Sequence, residues 1–188
     1  MSENLIQLSK SVKKHNANLG IAVDPDADRL VLIDENGEPI GEEKTIAIAV
    51  KSVLTNLNKF EKGFNKTIVV NESTSGMIER IAKEYNVDVV RSAVGEINVV
   101  NRMKETNAII GGEGSGGVIL PHIHYGRDSL VGISLLLSLL SHTKQSVSEL
   151  SESLPKAFIK KGKIEISKSP NTILDSLQKK YSDENIST

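Results

Sequence analysis

Asp24, Asp26 and Asp28 alternate within five residues, and Arg29 follows at once. Three carboxylates drawn together in a low-dielectric site repel one another, and their pKa values rise. A divalent cation turns the same crowding into a ligand set. Hard oxygen donors of this kind suit Mg²⁺ or Ca²⁺ rather than zinc. A solvated acidic turn is the plain alternative.

Two other arrangements compete for these residues. An EF-hand loop needs acids at its first, third and fifth positions, Gly at the sixth and Glu at the twelfth. Asp24, Asp26, Asp28 and Glu35 fit that spacing, but Arg29 holds the sixth position, and a strand-like run follows. A haloacid-dehalogenase-type phosphatase ends a strand in Asp-x-Asp and attacks with the first Asp. Asp24 and Asp26 would serve, but the chain returns at once toward Asn36-Gly37, a strong short hairpin signal.

A second constellation is Gly111-Gly112-Glu113-Gly114-Ser115-Gly116-Gly117. Five glycines in seven residues mark backbone that needs positive φ or must let a ligand come close. Glu113 and Ser115 are the side chains left, and their oxygens accept hydrogen bonds from hydroxyl groups. No Gly-Lys-Ser/Thr follows, so the stretch is not a Walker loop. A flexible surface loop is the alternative, but core-like Ile109-Ile110 and Val118-Ile119-Leu120 clamp both ends.

The elements that must position these groups alternate between helix and strand. Leu5, Leu8 and Val12 give residues 4–16 one apolar face. Residues 19–23 and 30–33 are strands flanking the acidic loop, which puts it at a strand end, where α/β proteins place ligands. A helix runs from Gly41-Glu42-Glu43 to about Asn58, with acids in its first turn as the macrodipole prefers. Residues 59–66 read as a linker, Thr67–Val70 as a strand, and Ser73-Thr74-Ser75 as the cap of a helix reaching Tyr85. A strand at 87–90, a helix at 95–105 and a strand at 107–110 lead to the glycine-rich stretch. A long apolar helix comes next at 127–142. Ser146 and Glu149 form a capping box for a helix ended by Pro155. Phe158–Ser167 reads as a strand, and Pro170 opens a final helix. The alternation predicts α/β layering.

Composition narrows the function. The 188 residues are 38% hydrophobic, enough for one domain or two small ones. A net charge of −1 supplies no field toward nucleic acid or membrane. Aromatics at 3% argue against base-stacking platforms. Cysteine is absent, which excludes thiolate metal sites and fits a reducing, cytoplasmic compartment. The apolar run from Leu130 to Leu140 is too short to cross a bilayer, and Met1 leads into polar sequence rather than a signal peptide.

The two loops together resemble the α-D-phosphohexomutases, which include phosphoglucomutase/phosphomannomutase and phosphoglucosamine mutase. Asp24-Pro-Asp-Ala-Asp-Arg29 is similar to their metal loop, D-G-D-G-D-R. Gly112-Glu-Gly-Ser-Gly-Gly117 is similar to their sugar loop, G-E-x-S-G-H. Ser92-Ala-Val-Gly95 and Tyr125-Gly-Arg-Asp128 also fit, in matching order. The resemblance implies two α/β/α layered domains with mixed sheets, the first truncated. Residues 1–60 would end the family's second domain, 61–155 form the third, and 156–188 lead toward a fourth. The phosphoserine loop of a first domain and the phosphate loop of a fourth are absent from this sequence and would be partners. The implied chemistry interconverts hexose 6-phosphate and hexose 1-phosphate of glucosamine, glucose or mannose. It passes through a phosphoserine and a hexose 1,6-bisphosphate, which also serves as activator.

In that scheme Asp24, Asp26 and Asp28 hold Mg²⁺ and Arg29 contacts phosphate. Glu113 and Ser115, with Gly112 and Gly114 beside them, take the phosphosugar substrate. A stand-alone, non-catalytic module binding phosphosugar and Mg²⁺ is the alternative. Two positions depart from the family. Gly117 replaces a common His, and Ile97 stands where many members carry a phosphate-contacting Lys; Arg91, Arg102, Arg127, His122 and His124 are candidate replacements. On this resemblance alone, Glu113→Gln is expected to do more damage than Gly117→His.

Overall fold

The computed structural model describes residues 5–162, 165 and 169–182. The chain opens with helix α1 (Ile6–His15), then strands β1 (Gly20–Val23) and β2 (Leu30–Ile33). These two strands pair antiparallel, Gly20 opposite Ile33 and Val23 opposite Leu30. The acidic loop is therefore the connection of a hairpin. All four residues of β2 are buried, because the strand is covered on both sides. Val31 and Ile33 pack with Leu5 and Val12. Leu30 and Leu32 turn the other way, into the main core. Such two-sided burial explains why β2 reads as a continuous apolar run rather than an alternating one.

Helices α2 (Glu42–Thr55) and α3 (Leu57–Phe60) come next. One continuous helix was expected here. The structure bends it at Asn56, whose side-chain Nδ2 donates to the Ser52 carbonyl at 3.2 Å. Beyond them lie β3 (Asn65–Asn71), α4 (Met77–Glu84), β4 (Asp88–Ser92), α5 (Glu96–Thr106), β5 (Ala108–Glu113) and β6 (Gly117–Ile119). The second sheet has the order β4-β3-β5-β6, parallel except for the final antiparallel pair. Helices α6 (Ser129–Thr143), α7 (Val147–Glu152) and α8 (Pro170–Lys180) complete the described elements.

Alternation along β3 splits the core into layers. Ile68 and Val70 face one side, with residues of α2, α4, α6 and α7. Val69 faces the other, with Val99, Val100 and Met103 of α5. This is an α/β/α arrangement with a mixed sheet. Helix α2 is buried continuously from Thr45 to Val50, since α6, α4, β2 and the sheet surround it. Its Ser52 hydroxyl donates to the Leu135 carbonyl of α6 at 2.7 Å.

Two local expectations fail for identifiable reasons. Ser73, Thr74 and Ser75 do not cap α4, which starts behind Gly76 with no side-chain cap. The Ser73 and Thr74 hydroxyls donate instead to Asn71 Oδ1, at 3.0 and 2.8 Å. Residues 158–162 form no strand: no described strand pairs with them, so no ladder bonds hold them extended, and Phe158 is almost fully exposed. The segment is held by Lys161 pairing with Glu43 at 2.7 Å. The rest of that expected strand, 163–164 and 166–168, lies outside the described residues. The capping box at Ser146 and Glu149 is present with both of its bonds.

One contact ties the hairpin turn after β2 to the start of α7. The Ser148 N–H donates to Glu35 Oε2 at 3.2 Å, and the Ser148 hydroxyl donates to Oε1. Burial pushes the Glu35 carboxyl up, but the Ser148 and Ser146 hydroxyls and the backbone donors outweigh it and bring the pKa to about 2. A folded pKa below the unfolded value stabilises the fold above pH 4.5, and that stability is lost as pH falls toward 2. Glu35→Gln is expected to cost about 1 kcal/mol at pH 7, discounted for solvent screening, and almost nothing near pH 2. Urea midpoints measured across that range check it. A cost independent of pH would mean the ionised carboxylate is not what holds α7.

Candidate functional site

The acidic loop is shaped by its first carboxylate. Asp24 Oδ1 accepts from the N–H groups of Asp28 and Arg29, at 3.1 and 3.0 Å. This is the local side-chain-to-backbone bonding that favours Asp in turns. Asp24 Oδ2 accepts from Arg29 Nε at 2.6 Å. Ala27 at the apex takes a left-handed φ of 56°. Its carbonyl accepts from the backbone N–H and hydroxyl of Ser129, at 3.2 and 2.6 Å, which pins the apex to the start of α6. The result brings oxygens of Asp24, Asp26 and Asp28 within 4.8 Å of one another.

The electrostatics differ along the loop. Partial burial pushes the Asp24 carboxyl up, but the Arg29 backbone N–H and guanidinium outweigh it and hold the pKa at about 2. Asp28 moves the other way. Burial raises it, with the charges of Asp24 and Asp26 adding to the rise and Arg127 opposing it. The donor set fits a hard divalent ion on one further observation: Asp28 Oδ1 is buried and has no hydrogen-bond partner. Arg29 Nε lies 3.5 Å from it, beyond good bonding distance. An oxygen in that state carries a desolvation cost that a cation removes.

The glycine-rich stretch is less of a loop than its composition suggests. Gly111, Gly112 and Glu113 belong to β5, and Gly117 opens β6. Only Gly114-Ser115-Gly116 turn, with the Gly116 N–H donating to the Glu113 carbonyl at 3.1 Å. Gly112 is paired with Val118. The Gly114 N–H donates to Thr74 Oγ1 at 2.9 Å. The turn also meets the first hairpin, where the Leu30 N–H donates to the Gly116 carbonyl at 3.2 Å. Ser115, Asp24, Pro25, Arg29 and Glu42 line one cleft of about 410 Å³. Burial raises the Glu42 carboxyl within it.

Glu113 is 4% exposed. Its Oε1 accepts from Asn71 Nδ2 and its Oε2 from an Arg127 terminal nitrogen, both at 2.6 Å. Each carboxylate oxygen keeps a second lone pair. The other terminal nitrogen of Arg127 pairs with Asp28 Oδ2. Glu96 completes the surround, with Oε1 accepting from the Arg127 N–H at 2.8 Å.

The other candidate replacements go elsewhere. Arg91 pairs with Glu79 and donates to the carbonyls of Asn71 and Thr74, bracing the turn after β3. Arg102 pairs with Glu105 one helical turn away. His122 packs between Phe60 and Phe64. His124 pairs with Asp128, lowering the Asp128 carboxyl, and Ile97 is exposed on α5. Asn71, Glu96 and Ser129 escaped the sequence reading, which took Thr74 only as part of a helix cap. Each is an ordinary polar residue at the end of a strand or the start of a helix. Only Asn71, ending an apolar strand just before the Ser-Thr-Ser run, offered a signal.

The chain is similar to known proteins in sequence and in fold. Residues 42–158 match "Phosphoglucomutase/phosphomannomutase, alpha/beta/alpha domain III", and residues 1–37 match the corresponding domain II. A phosphoglucomutase/phosphomannomutase of Thermococcus kodakarensis is 37% identical over 156 residues, covering 83% of this chain and 33% of that protein. A phosphoglucomutase/phosphomannomutase family protein from Burkholderia thailandensis superposes with a TM-score of 0.72 at 26% identity, over 84% of this chain and 33% of its own. An N-acetylphosphoglucosamine mutase of Aspergillus fumigatus, solved with GlcNAc-6P and magnesium, shares the fold at 15% identity and a TM-score of 0.57, over 86% of this chain and 40% of its own. The chain spans about a third of the length of the curated relatives it matches. Among the described residues no helix is long and apolar enough to cross a membrane.

Proposed function

Given that the chain belongs to the phosphoglucomutase/phosphomannomutase family, we propose that it forms the metal- and sugar-binding part of a phosphohexomutase. The overall reaction interconverts hexose 6-phosphate and hexose 1-phosphate. The phosphoserine donor, and the phosphate loop that grips the far end of the substrate, belong to domains outside this sequence. A hexose 1,6-bisphosphate is the intermediate and activator. A cytoplasmic setting goes with this reading, in keeping with a cysteine-free sequence. The observation that carries it is the meeting of two loops: Asp24 of the acidic cluster and Ser115 of the glycine-rich turn line one cleft, and the Leu30 N–H donates to the Gly116 carbonyl between the loops at 3.2 Å.

In this scheme Asp24, Asp26 and Asp28 hold Mg²⁺. The bound ion supplies a positive charge that offsets the charge developing on the transferring phosphoryl group. Arg29, fixed by Asp24, presents its remaining N–H donors toward phosphate oxygens in the cleft. The free lone pairs of Glu113 and the Ser115 hydroxyl accept from sugar hydroxyls. Because acceptors of this kind do not distinguish the two ends of a hexose, one pocket serves both orientations of the bisphosphate. Positioning accelerates transfer only when a phosphoryl donor is present.

Asp24 as the nucleophile of a phosphatase has less support. The Arg29 guanidinium and the N–H groups of Asp28 and Arg29 draw charge from both Asp24 oxygens, which weakens a nucleophile but leaves one Oδ2 lone pair for a cation, and among the described residues β1 pairs only with β2.

Titration calorimetry with Mg²⁺ tests the proposal on this chain. Weak binding is expected in the wild type, because three carboxylates leave an octahedral shell incomplete. Asp26→Ala is expected to weaken it at least tenfold, since Asp26 is exposed and its loss leaves the fold intact. Equal binding in both proteins would remove the acidic loop from the metal site.

A further inference from the structure

Arg127 lies just before α6 and is four-fifths buried at its side chain. Its terminal nitrogens reach in two directions, one to Asp28 Oδ2 in the acidic loop and one to Glu113 Oε2 at the end of β5. Asp28 and Glu113 are 85 residues apart in sequence. Among the described residues no other side chain is ion-paired to both loops. Glu96 stands beside the fork: it takes the Arg127 backbone N–H at 2.8 Å and lies 3.6 Å from Nε, which is buried without a hydrogen-bond partner. Burial works against the Arg127 charge, but its pairing with Glu113 and Asp28 outweighs it and raises the Arg127 pKa.

The geometry points to Arg127 as a positioning residue that sets the metal-side carboxylate and the sugar-side carboxylate with one planar fork. The inference rests on the proposed function for the identity of the two ligands. The fork fixes Asp28 by Oδ2 alone, leaving the buried Oδ1 for the cation. It fixes Glu113 by one lone pair of Oε2, while Asn71 takes one of Oε1. Neither carboxylate is consumed, and each is denied rotation about its terminal torsion, which is otherwise broad. Arginine suits this task because its donors sit in a rigid plane. A lysine ammonium is a point charge that cannot hold two carboxylates in fixed directions on opposite sides.

Mg²⁺ and glucose 6-phosphate are titrated separately into the whole chain. Wild type is compared with Asp28→Asn, Glu113→Gln, Arg127→Gln and Arg127→Lys. Asp28→Asn is expected to weaken Mg²⁺ about tenfold and spare glucose 6-phosphate, and Glu113→Gln to do the reverse, each losing about one charge-assisted bond. Arg127→Gln weakens both ligands by a similar factor. Arg127→Lys restores one of them and not the other, a split that general loss of stability does not produce. A folded Arg127→Gln protein that keeps wild-type affinity for either ligand overturns the inference. Should Arg127→Gln not fold, an Arg127→Lys protein that keeps wild-type affinity for both ligands overturns it.

Thermal double-mutant cycles pair Arg127→Gln or Arg127→Lys with Asp28→Asn and with Glu113→Gln, and they read the bridge without any ligand. Tm shifts that add in either cycle overturn it. A wild-type chain that ignores glucose 6-phosphate while both cycles are non-additive sinks the substrate assignment and leaves the bridge in place.

Discussion

Gly116→Ala is expected to destabilise the chain by about 2–5 kcal/mol, through backbone strain and overpacking together. Gly116 has a φ of +95°, a conformation that L side chains rarely adopt. A Cβ there would stand 2.5 Å from the Leu30 carbonyl oxygen. That oxygen cannot yield, because it also accepts from the Thr45 hydroxyl of buried α2 at 3.1 Å. The Leu30 N–H, on the other side of the same residue, bonds the Gly116 carbonyl. The two loops meet backbone to backbone, so relief requires them to part. Urea unfolding measures the cost, and Mg²⁺ titration of the folded fraction measures whether the acidic loop has moved with it. A variant within about 0.5 kcal/mol of wild type, the range of an ordinary surface change, would show that the contact between the loops is slack.

That contact marks the limit of what the sequence discloses. The layers were legible because periodicity is local. The unbroken apolar run Leu30–Ile33 reports a strand buried on both faces, and the 3.6-residue period of α2 reports a helix. The carboxylate cluster was legible because its three members lie within five residues and the turn that gathers them is made by one of them, Asp24. The glycine-rich stretch was legible in composition but not in form. Glycine density signals unusual backbone, yet it cannot say that Gly111 to Glu113 extend a strand and Gly117 begins another, since their ladder bonds go to partners remote in sequence.

Side-chain assignments fared according to distance. The capping box is a four-residue object and was found. The Ser73-Thr74-Ser75 run has equally good capping chemistry, but Asn71 Oδ1 and the Gly114 N–H compete for it, and the tertiary partners prevail. Arg127 was only one of five candidate cations. Nothing within its own segment distinguishes it from Arg91 or Arg102, because its partners stand in two other elements. Its neighbour Asp128 caps α6 by accepting from the N–H groups of Leu130 and Val131, which fixes where Arg127 must leave the chain.

Gly117 changes its expected tolerance once such a partner is included. Family resemblance alone ranks Gly117→His as milder than Glu113→Gln, since it restores a common residue. The structure reverses the order. A Cβ at Gly117 would stand 2.4 Å from Arg127 Cδ and 3.0 Å from Cγ, in the middle of that side chain rather than at its free end. Arg127 would have to withdraw from Asp28 and Glu113 together. Glu113, 4% exposed, would then keep only Asn71 for its charge. Breaking a buried pair in this way costs about 3–5 kcal/mol. Glu113→Gln removes one charge-assisted bond, worth about 1.5–3 kcal/mol, and leaves Arg127 paired with Asp28.

Gly117→His is therefore expected to lower Tm more than Glu113→Gln, and to weaken Mg²⁺ binding, which Glu113→Gln spares. Adding Arg127→Gly to Gly117→His is expected to cost little further stability, because the arginine has already lost its partners, whereas Arg127→Gly alone costs the full amount. Thermal unfolding of the four proteins decides the matter. If Gly117→His melts with wild type, Arg127 has another way across the turn, and the volume above Gly117 is not what holds it between the loops.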